Sequence, residues 1–393
     1  MRVLQLLILV LPWVAWPNAA DPYLAPKAVA LQFGLWLLVG WAWEVAPAQS
    51  WSFAPRNPYR RWLMAYVLLM GLLHFHLRFL PRTLTDTQVV YNVYTWLPTL
   101  AVLVALAAIG ALSRVYCATA VATQLVTQWW CLAGGLAACY ALGQWAGLDQ
   151  WYLEAAPKSG KVWQRLSGSF GNPEYLSLYL AYLLPLYGLF KARRYLIFFL
   201  LSLVVLAYNR NYGAWMIAAI GMGSYGLARY RASHADWTVW GLASLAPLSF
   251  LVLWAWHPTF FLLDERVALW QHGWSLLQAY TSEGLPRIIE SWTGRGLGAW
   301  EVLHQTGPWL WAHAEWLQGL VELGVIGMGL VAAMTLWTTQ RAWQSARTSL
   351  LGAGWFGVWM AWLASSMIYP SAHWAHTAWV GLCAWGVVER EGV

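Results

Sequence analysis

The segment from His257 to Gln318 holds Asp264, Glu265, Arg266, His272, Glu283, Arg287, Glu290, Arg295, Glu301, His304, His313 and Glu315. Only 10% of the chain is charged, so this is a local concentration of groups able to do chemistry. An imidazole such as His313 suits a general base near neutral pH. Glu315, two residues on, is a second base. Arg266 and Arg295 offer planar guanidinium groups that match phosphate oxygens in pairs. Arg266 opens a stretch in which Val267, Trp270, Trp274 and Leu277 recur at helical spacing. Gln271, Ser275 and Gln278 fall on its other side, a pattern for a helix lying in a membrane interface. Arg266 could equally pair with a neighbouring carboxylate.

Gly294-Arg295-Gly296-Leu297-Gly298 sets an arginine among glycines, which lets backbone and guanidinium approach a ligand closely. Three glycines alone are a weak motif. His313 and Leu317 fall on one helical face, and Glu315, Gln318 and Glu322 on another. His313 and Glu315 therefore diverge if one helix includes both. A lone histidine at the entrance of a span also serves simply as a polar cap.

Two shorter segments carry further candidates. Ser167-Gly168-Ser169-Phe170-Gly171-Asn172-Pro173-Glu174 ends in a turn signal, and Pro173 suits the first turn of a helix. That start is either a plain interfacial one or one whose free N–H groups hold an anion. Tyr208-Asn209-Arg210-Asn211-Tyr212 is a tight turn between apolar runs, and Arg210 has no acidic neighbour in sequence. An arginine near membrane depth needs a carboxylate, a phosphate or a lipid headgroup.

Composition names the scaffold that must position these groups. Hydrophobic residues make up 60% of the 393, whereas soluble domains are about a quarter charged. Apolar runs cover 3–16, 28–46, 62–80, 96–112, 116–141, 175–190, 195–208, 212–228, 237–256, 319–337, 350–368 and 377–388, several long enough to cross a bilayer. The expectation is a single all-α integral membrane domain over 1–393, with about twelve transmembrane helices. Its large extracytoplasmic loop, 257–318, contains interfacial helices and carries the site. The first run also resembles a signal peptide, with Ala19 and Ala20 near a cleavage point. The twelve-span layout closes with that run retained.

Twelve spans sort the charges. One side collects Arg2, Arg56, Arg60, Arg61, Arg114, the Lys191–Arg194 turn, Arg229, Arg231, Arg341, Arg347 and Arg390, against Asp236, Glu389 and Glu391. Short basic loops stay cytoplasmic. Both termini are thus predicted inside and the loops 142–174 and 257–318 outside. Tryptophans at span ends, such as Trp62, Trp96, Trp237 and Trp256, suit interfacial belts. The net charge of +7 belongs to this topology, and no basic recognition element points to nucleic acid. Cys117, Cys131, Cys139 and Cys383 lack metal-ligand spacing, and neither His74 with His76 nor His373 with His376 has a third ligand, so no metal is expected.

Taken in order, the motifs resemble those of the O-antigen ligase and polymerase family of bacterial membrane glycosyltransferases. They are Gly171-Asn172-Pro173-Glu174-Tyr175-Leu176, Arg210 after a span, Arg266 with Trp270, the glycine-flanked Arg295, His313 with Leu317-Gln318, and Glu322-Leu323-Gly324-Val325-Ile326-Gly327. The resemblance covers roughly 165–335. The chain departs from the family pattern at Glu174, where a second asparagine is usual, at Asn209 and Asn211, which replace serine and glycine, and at Ala314.

The resemblance implies a GT-C-like enzyme of the bacterial inner membrane, with its active site periplasmic. It would move a glycan from undecaprenyl diphosphate to a hydroxyl of lipid A-core, with inversion and without metal or cofactor. Arg210, Arg266 and Arg295 would hold the diphosphate, His313 would be the base and Glu315 its reserve, and Asn172 and Trp270 would bind substrate or support the site. A polymerase adding to a second glycan, or a protein oligosaccharyltransferase, fits the same residues. The lack of a large soluble C-terminal extension disfavours the latter. A transporter of lipid-linked glycans is the alternative of another class, but such proteins bind near mid-membrane, where Glu44 is the clear ionisable residue.

Overall fold

The computed structural model describes residues 1–15, 24–45, 58–79, 86–148, 166–232, 314–369, 371–372 and 375–391, with isolated positions between 270 and 297. Among the described residues the regular structure is helical and there is no strand. The helices are α1 (Arg2–Val10), α2 (Leu24–Val45), α3 (Pro58–Phe79), α4 (Asp86–Ala111), α5 (Ala120–Trp145), α6 (Pro173–Tyr187), α7 (Arg193–Asn209), α8 (Tyr212–Ala232), α9 (Glu315–Thr348), α10 (Leu350–Ser366) and α11 (Ala375–Glu391). Pro26–Val45, Thr99–Tyr116, Ala120–Trp145 and Glu315–Thr348 are each long and apolar enough to cross a membrane. Every predicted apolar run falls on one of these helices except 237–256, which lies outside the described residues, as does most of 257–318.

Local chemistry sets the helix ends. Thr119 accepts a hydrogen bond from the Ala122 N–H and so caps α5. Ser349 does the same for α10 through the Gly352 N–H. Helix α6 is the centre of the bundle, packed by α5, α7, α8 and α10. Its residues Leu176 to Tyr187 are all buried, because it is apolar all round rather than on one stripe. Pro185 of α6 meets Gly221 of α8 and Gly357 of α10, where any larger side chain would strike backbone.

Two runs differ from their predicted form. The first is helical over only part of its length: α1 gives way at Pro12 to a 3-10 turn, Leu11–Trp13. Those dozen residues rise only about 18 Å. They are nonetheless built into the core, with Leu4, Ile8 and Leu11 buried. The second is the run predicted at 319–337. Helix α9 covers 34 residues and is broken at Gly324, whose φ of 65° and ψ of −174° are not helical. The break separates a polar upper segment carrying Glu315, Gln318 and Glu322 from the long apolar remainder.

One end of the bundle is tied by charge. Arg60 Nη1 donates to Glu389 Oε2 at 2.6 Å, and both groups are buried. Arg114, in the π-helical turn Leu112–Tyr116 that ends α4, lies within electrostatic range of the same carboxylate. Arg390 donates to Thr123 Oγ1 at 3.2 Å. The charge sorting placed Arg60, Arg114, Glu389 and Arg390 on one side, and the fold brings them together.

Removing one member of the buried pair strands the other's charge. Arg60→Ala is expected to cost roughly 3 kcal/mol and to lower the melting temperature in detergent, while Arg60→Met with Glu389→Leu recovers most of the loss.

Candidate functional site

The opposite end of the bundle gathers those polar residues of the motifs that are described, among them Asn172, Arg210 and Gln318. Its first piece is the turn before α6. Gly171 takes a left-handed conformation, and Asn172 then caps α6 by accepting the Glu174 N–H at 2.8 Å. The bond observed for Asn172 is therefore structural. The 3-10 turn Gly168–Phe170 is held on two sides. Gln144 of α5 accepts from the Gly168 N–H at 2.9 Å and donates to the Gly168 carbonyl at 3.3 Å. Ser169 donates to the Pro12 carbonyl at 2.7 Å, and Lys27 donates to the carbonyls of Val14 and Ser169 at 2.7 and 2.8 Å. The amino-terminal segment thus braces the turn that starts α6.

The second piece surrounds Arg210. Asn209 ends α7 and is fully buried. Its Oδ1 accepts the Leu166 N–H at 2.7 Å, and its Nδ2 donates to Leu166 O at 2.8 Å, Ser177 Oγ at 3.1 Å and Pro173 O at 3.3 Å. Asn211 Oδ1 accepts from the Ala214 N–H at 3.1 Å, starting α8, and from the Tyr369 hydroxyl at 3.3 Å. Between them Arg210 has φ 50° and ψ 37°, the one positive φ outside glycine among the described residues. That conformation costs a residue with a β-carbon about 1–2 kcal/mol. The two asparagines hold it in place. Arg210 is exposed, and among the described residues its guanidinium makes no ion pair or hydrogen bond. Asn209 and Asn211 are the anchors of this turn.

The third piece is the start of α9. Ala314 is extended, so the helix begins at Glu315. His313 precedes the cap, so the expectation that one helix turns His313 and Glu315 apart does not apply. Glu315 Oε1 accepts the Ala372 N–H at 2.6 Å. Its charge also suits a helix N-terminus. Gln318 donates to Glu322 Oε1 at 3.0 Å one turn on, with both side chains buried.

A strap that sequence reasoning did not single out joins these pieces. Between α10 and α11, Tyr369 reaches the Arg210 turn and Ala372 reaches Glu315. Beneath it the hydroxyls of Tyr182, Ser365 and Ser371 bond one another, at 2.6 Å for Tyr182–Ser365 and for Ser365–Ser371, and at 3.3 Å for Tyr182–Ser371. Thr377 donates to the Ser371 carbonyl at 2.6 Å. The available signal was the run of hydroxyls at Ser365, Ser366, Tyr369, Ser371 and Thr377. His376 is packed between Phe170 and Tyr175, with ring centroids 5.1 and 5.2 Å away. Among the described residues no group of three potential ligands could hold a metal.

The long loop contributes two fragments. Trp270 lies in a helical stretch, as its spacing predicts, half-buried, and its indole N–H finds no acceptor among the described residues. Trp274 on the next turn is exposed, as suits an interfacial helix. Gly294 packs backbone to backbone against the break in α9, where a β-carbon would collide with the Glu322 carbonyl. His313, Arg266 and Arg295 lie outside the described residues.

Asn209 makes four bonds and Asn172 one, so the two substitutions separate. Asn172→Ala should cost about 1 kcal/mol, and Asn209→Ala several times that, read as melting temperature in detergent. Arg210→Gly should raise stability slightly by relieving the left-handed turn. Compared with known proteins, the chain matches no family model and no curated sequence.

Proposed function

We propose that this protein is a glycosyltransferase of the O-antigen ligase type, moving a glycan from undecaprenyl diphosphate to a hydroxyl of lipid A-core. The observation that carries the reading is Arg210. It is an exposed guanidinium on a turn fixed by two engaged asparagines, and Tyr369 and Ala372 link that turn to the helix start just after His313. A cation projecting from a backbone turn this firmly fixed, at one end of an apolar bundle, suits a lipid-borne anion. The order of the motifs supports the same reading.

In this mechanism the acceptor hydroxyl attacks the anomeric carbon from the face opposite the diphosphate. The carbon–oxygen bond to the diphosphate breaks as the new glycosidic bond forms, which inverts the centre. His313 takes the hydroxyl proton and passes it to water, and undecaprenyl diphosphate leaves with the electron pair. Arg210, Arg266 and Arg295 stabilise the charge that develops on the leaving diphosphate, so that arginine rather than a metal ion carries it. Glu315 already accepts the Ala372 N–H, which suits it to fixing the start of α9 more than to proton transfer. Twelve spans in a GT-C-like arrangement, a bacterial inner membrane, cytoplasmic termini and a periplasmic site complete the proposal. The basic cluster around Arg60 and Arg114 would then face the cytoplasm.

The test is glycan transfer by purified, reconstituted protein given undecaprenyl-diphosphate glycan, with chelator present, and either lipid A-core or a second donor molecule as acceptor. A single product on lipid A-core is expected. A ladder of lengthening lipid-linked chains would make the enzyme a polymerase. No product from folded protein with either acceptor would overturn the reading in favour of a protein acceptor or transport. His313→Ala should abolish transfer. Arg210→Ala should raise the donor KM about 30-fold, the equivalent of one lost charge-assisted contact of about 2 kcal/mol.

A further inference from the structure

The end of the bundle away from Arg210 concentrates arginine around a single buried carboxylate, Glu389 of α11. Arg60 of α3 pairs with it at 2.6 Å. Arg114, in the π-helical turn after α4, lies within its electrostatic range. Arg390 follows it in the chain and donates to Thr123 Oγ1 at the start of α5, 3.2 Å away. Two glycines let the helices close on this cluster. The Arg60 guanidinium lies against Gly110 of α4, where a β-carbon would stand 3.2 Å from Nη2. At Gly386 of α11 a β-carbon would stand 2.6 Å from Leu112 Cβ, so α11 comes close to the turn that carries Arg114. Arg60 is buried, whereas Arg114 and Arg390 are part-exposed. Three guanidinium groups against one carboxylate leave an excess of two positive charges. Arg61 and Glu391, beside Arg60 and Arg390 in the chain, offset each other.

We propose that Arg114 and Arg390, with the Arg60–Glu389 pair behind them, form a binding site for the phosphate of an anionic phospholipid. Arginines stay charged at any working pH. Gathered at the edge of an apolar bundle they repel one another more strongly than in water, and an anion between them relieves that repulsion. Planar guanidinium groups match phosphate oxygens in pairs. A basic pocket between helix ends at headgroup depth is the usual setting for such a lipid. The surroundings favour a lipid over free phosphate. Trp62, two residues after Arg60, and Val121, two before Thr123, are each 68% exposed. The helix ends that supply the charge therefore also offer apolar surface to acyl chains, and a tryptophan there suits the interface. The site requires only that the bundle span a bilayer, so it holds in either orientation and is independent of the transfer reaction.

The experiment titrates the full chain, purified in detergent, with phosphatidylglycerol or with phosphatidylcholine. Bound lipid is read by native mass spectrometry and folding by melting temperature. Phosphatidylglycerol is expected to bind about tenfold more tightly than phosphatidylcholine, and millimolar inorganic phosphate should not displace it. Arg114→Gln and Arg390→Gln keep a long polar side chain and remove the charge. Each should weaken phosphatidylglycerol about fivefold and leave phosphatidylcholine unchanged. Arg193→Gln, at the exposed start of α7, should leave both affinities within about twofold, because a distant charge is screened. The proposal is overturned if the two lipids bind alike, or if inorganic phosphate displaces the lipid. It is also overturned if Arg114→Gln or Arg390→Gln, folded, keeps the wild-type affinity, or if Arg193→Gln weakens binding as much. Should a variant fail to fold, the lipid preference of the unaltered protein and its response to phosphate still decide.

Discussion

An apolar bundle contains no water to answer a polar group, so most of those buried here are met by another part of the chain. Asn209 is the clearest case. Its amide closes on Leu166 in both directions and still reaches Pro173 and Ser177, joining the end of α7 to the segment that starts α6. Because that amide is satisfied, the next residue can be held in a left-handed turn with its guanidinium outward. The same necessity ties Tyr182 to Ser365 and Ser371, and Arg60 to Glu389 at the other end. Among the described residues the densest polar networks lie at the two ends, where they cross-link neighbouring turns.

Rigidity matters for the transfer chemistry because charge stabilisation works through groups already in place when the bond breaks. Three constraints fix the candidate end. The amino-terminal segment braces the turn before α6 through Ser169 and Lys27. The strap between α10 and α11 ties the Arg210 turn to Glu315. At the glycine joint Trp292 and Gly294 lie against the break in α9, below Glu315. Most of these contacts use a backbone atom as one partner; the exception is Tyr369 to Asn211, side chain to side chain.

Much of this was legible in the chain itself. Apolar runs against sparse charge name an all-helical protein of membrane type, because few other solvents suit 60% hydrophobic residues. Asn172-Pro173 announces the start of α6, since capping and proline geometry are local. The clustering of Arg60, Arg114, Glu389 and Arg390 followed from sorting loops by charge. Glu315, Arg210 and the glycines were visible as candidates for the same reason, being polar or flexible residues where apolar ones were expected.

Other features had no local signature. Tyr66 lies within an apolar run, and only the approach of Thr293 and Leu323, more than two hundred residues away, gives its hydroxyl a task. The Tyr369–Ala372 strap read only as a short connection between two spans, because its partners Asn211 and Glu315 are distant in sequence. The break at Gly324 was hidden in helical periodicity that continues on both sides of it. Sequence alone determined the solvent, the helices and which residues are costly to place there, since those depend on neighbours along the chain. Tertiary structure decided which polar groups answer one another, because in a bundle the partner of a buried group comes from whichever helix happens to face it.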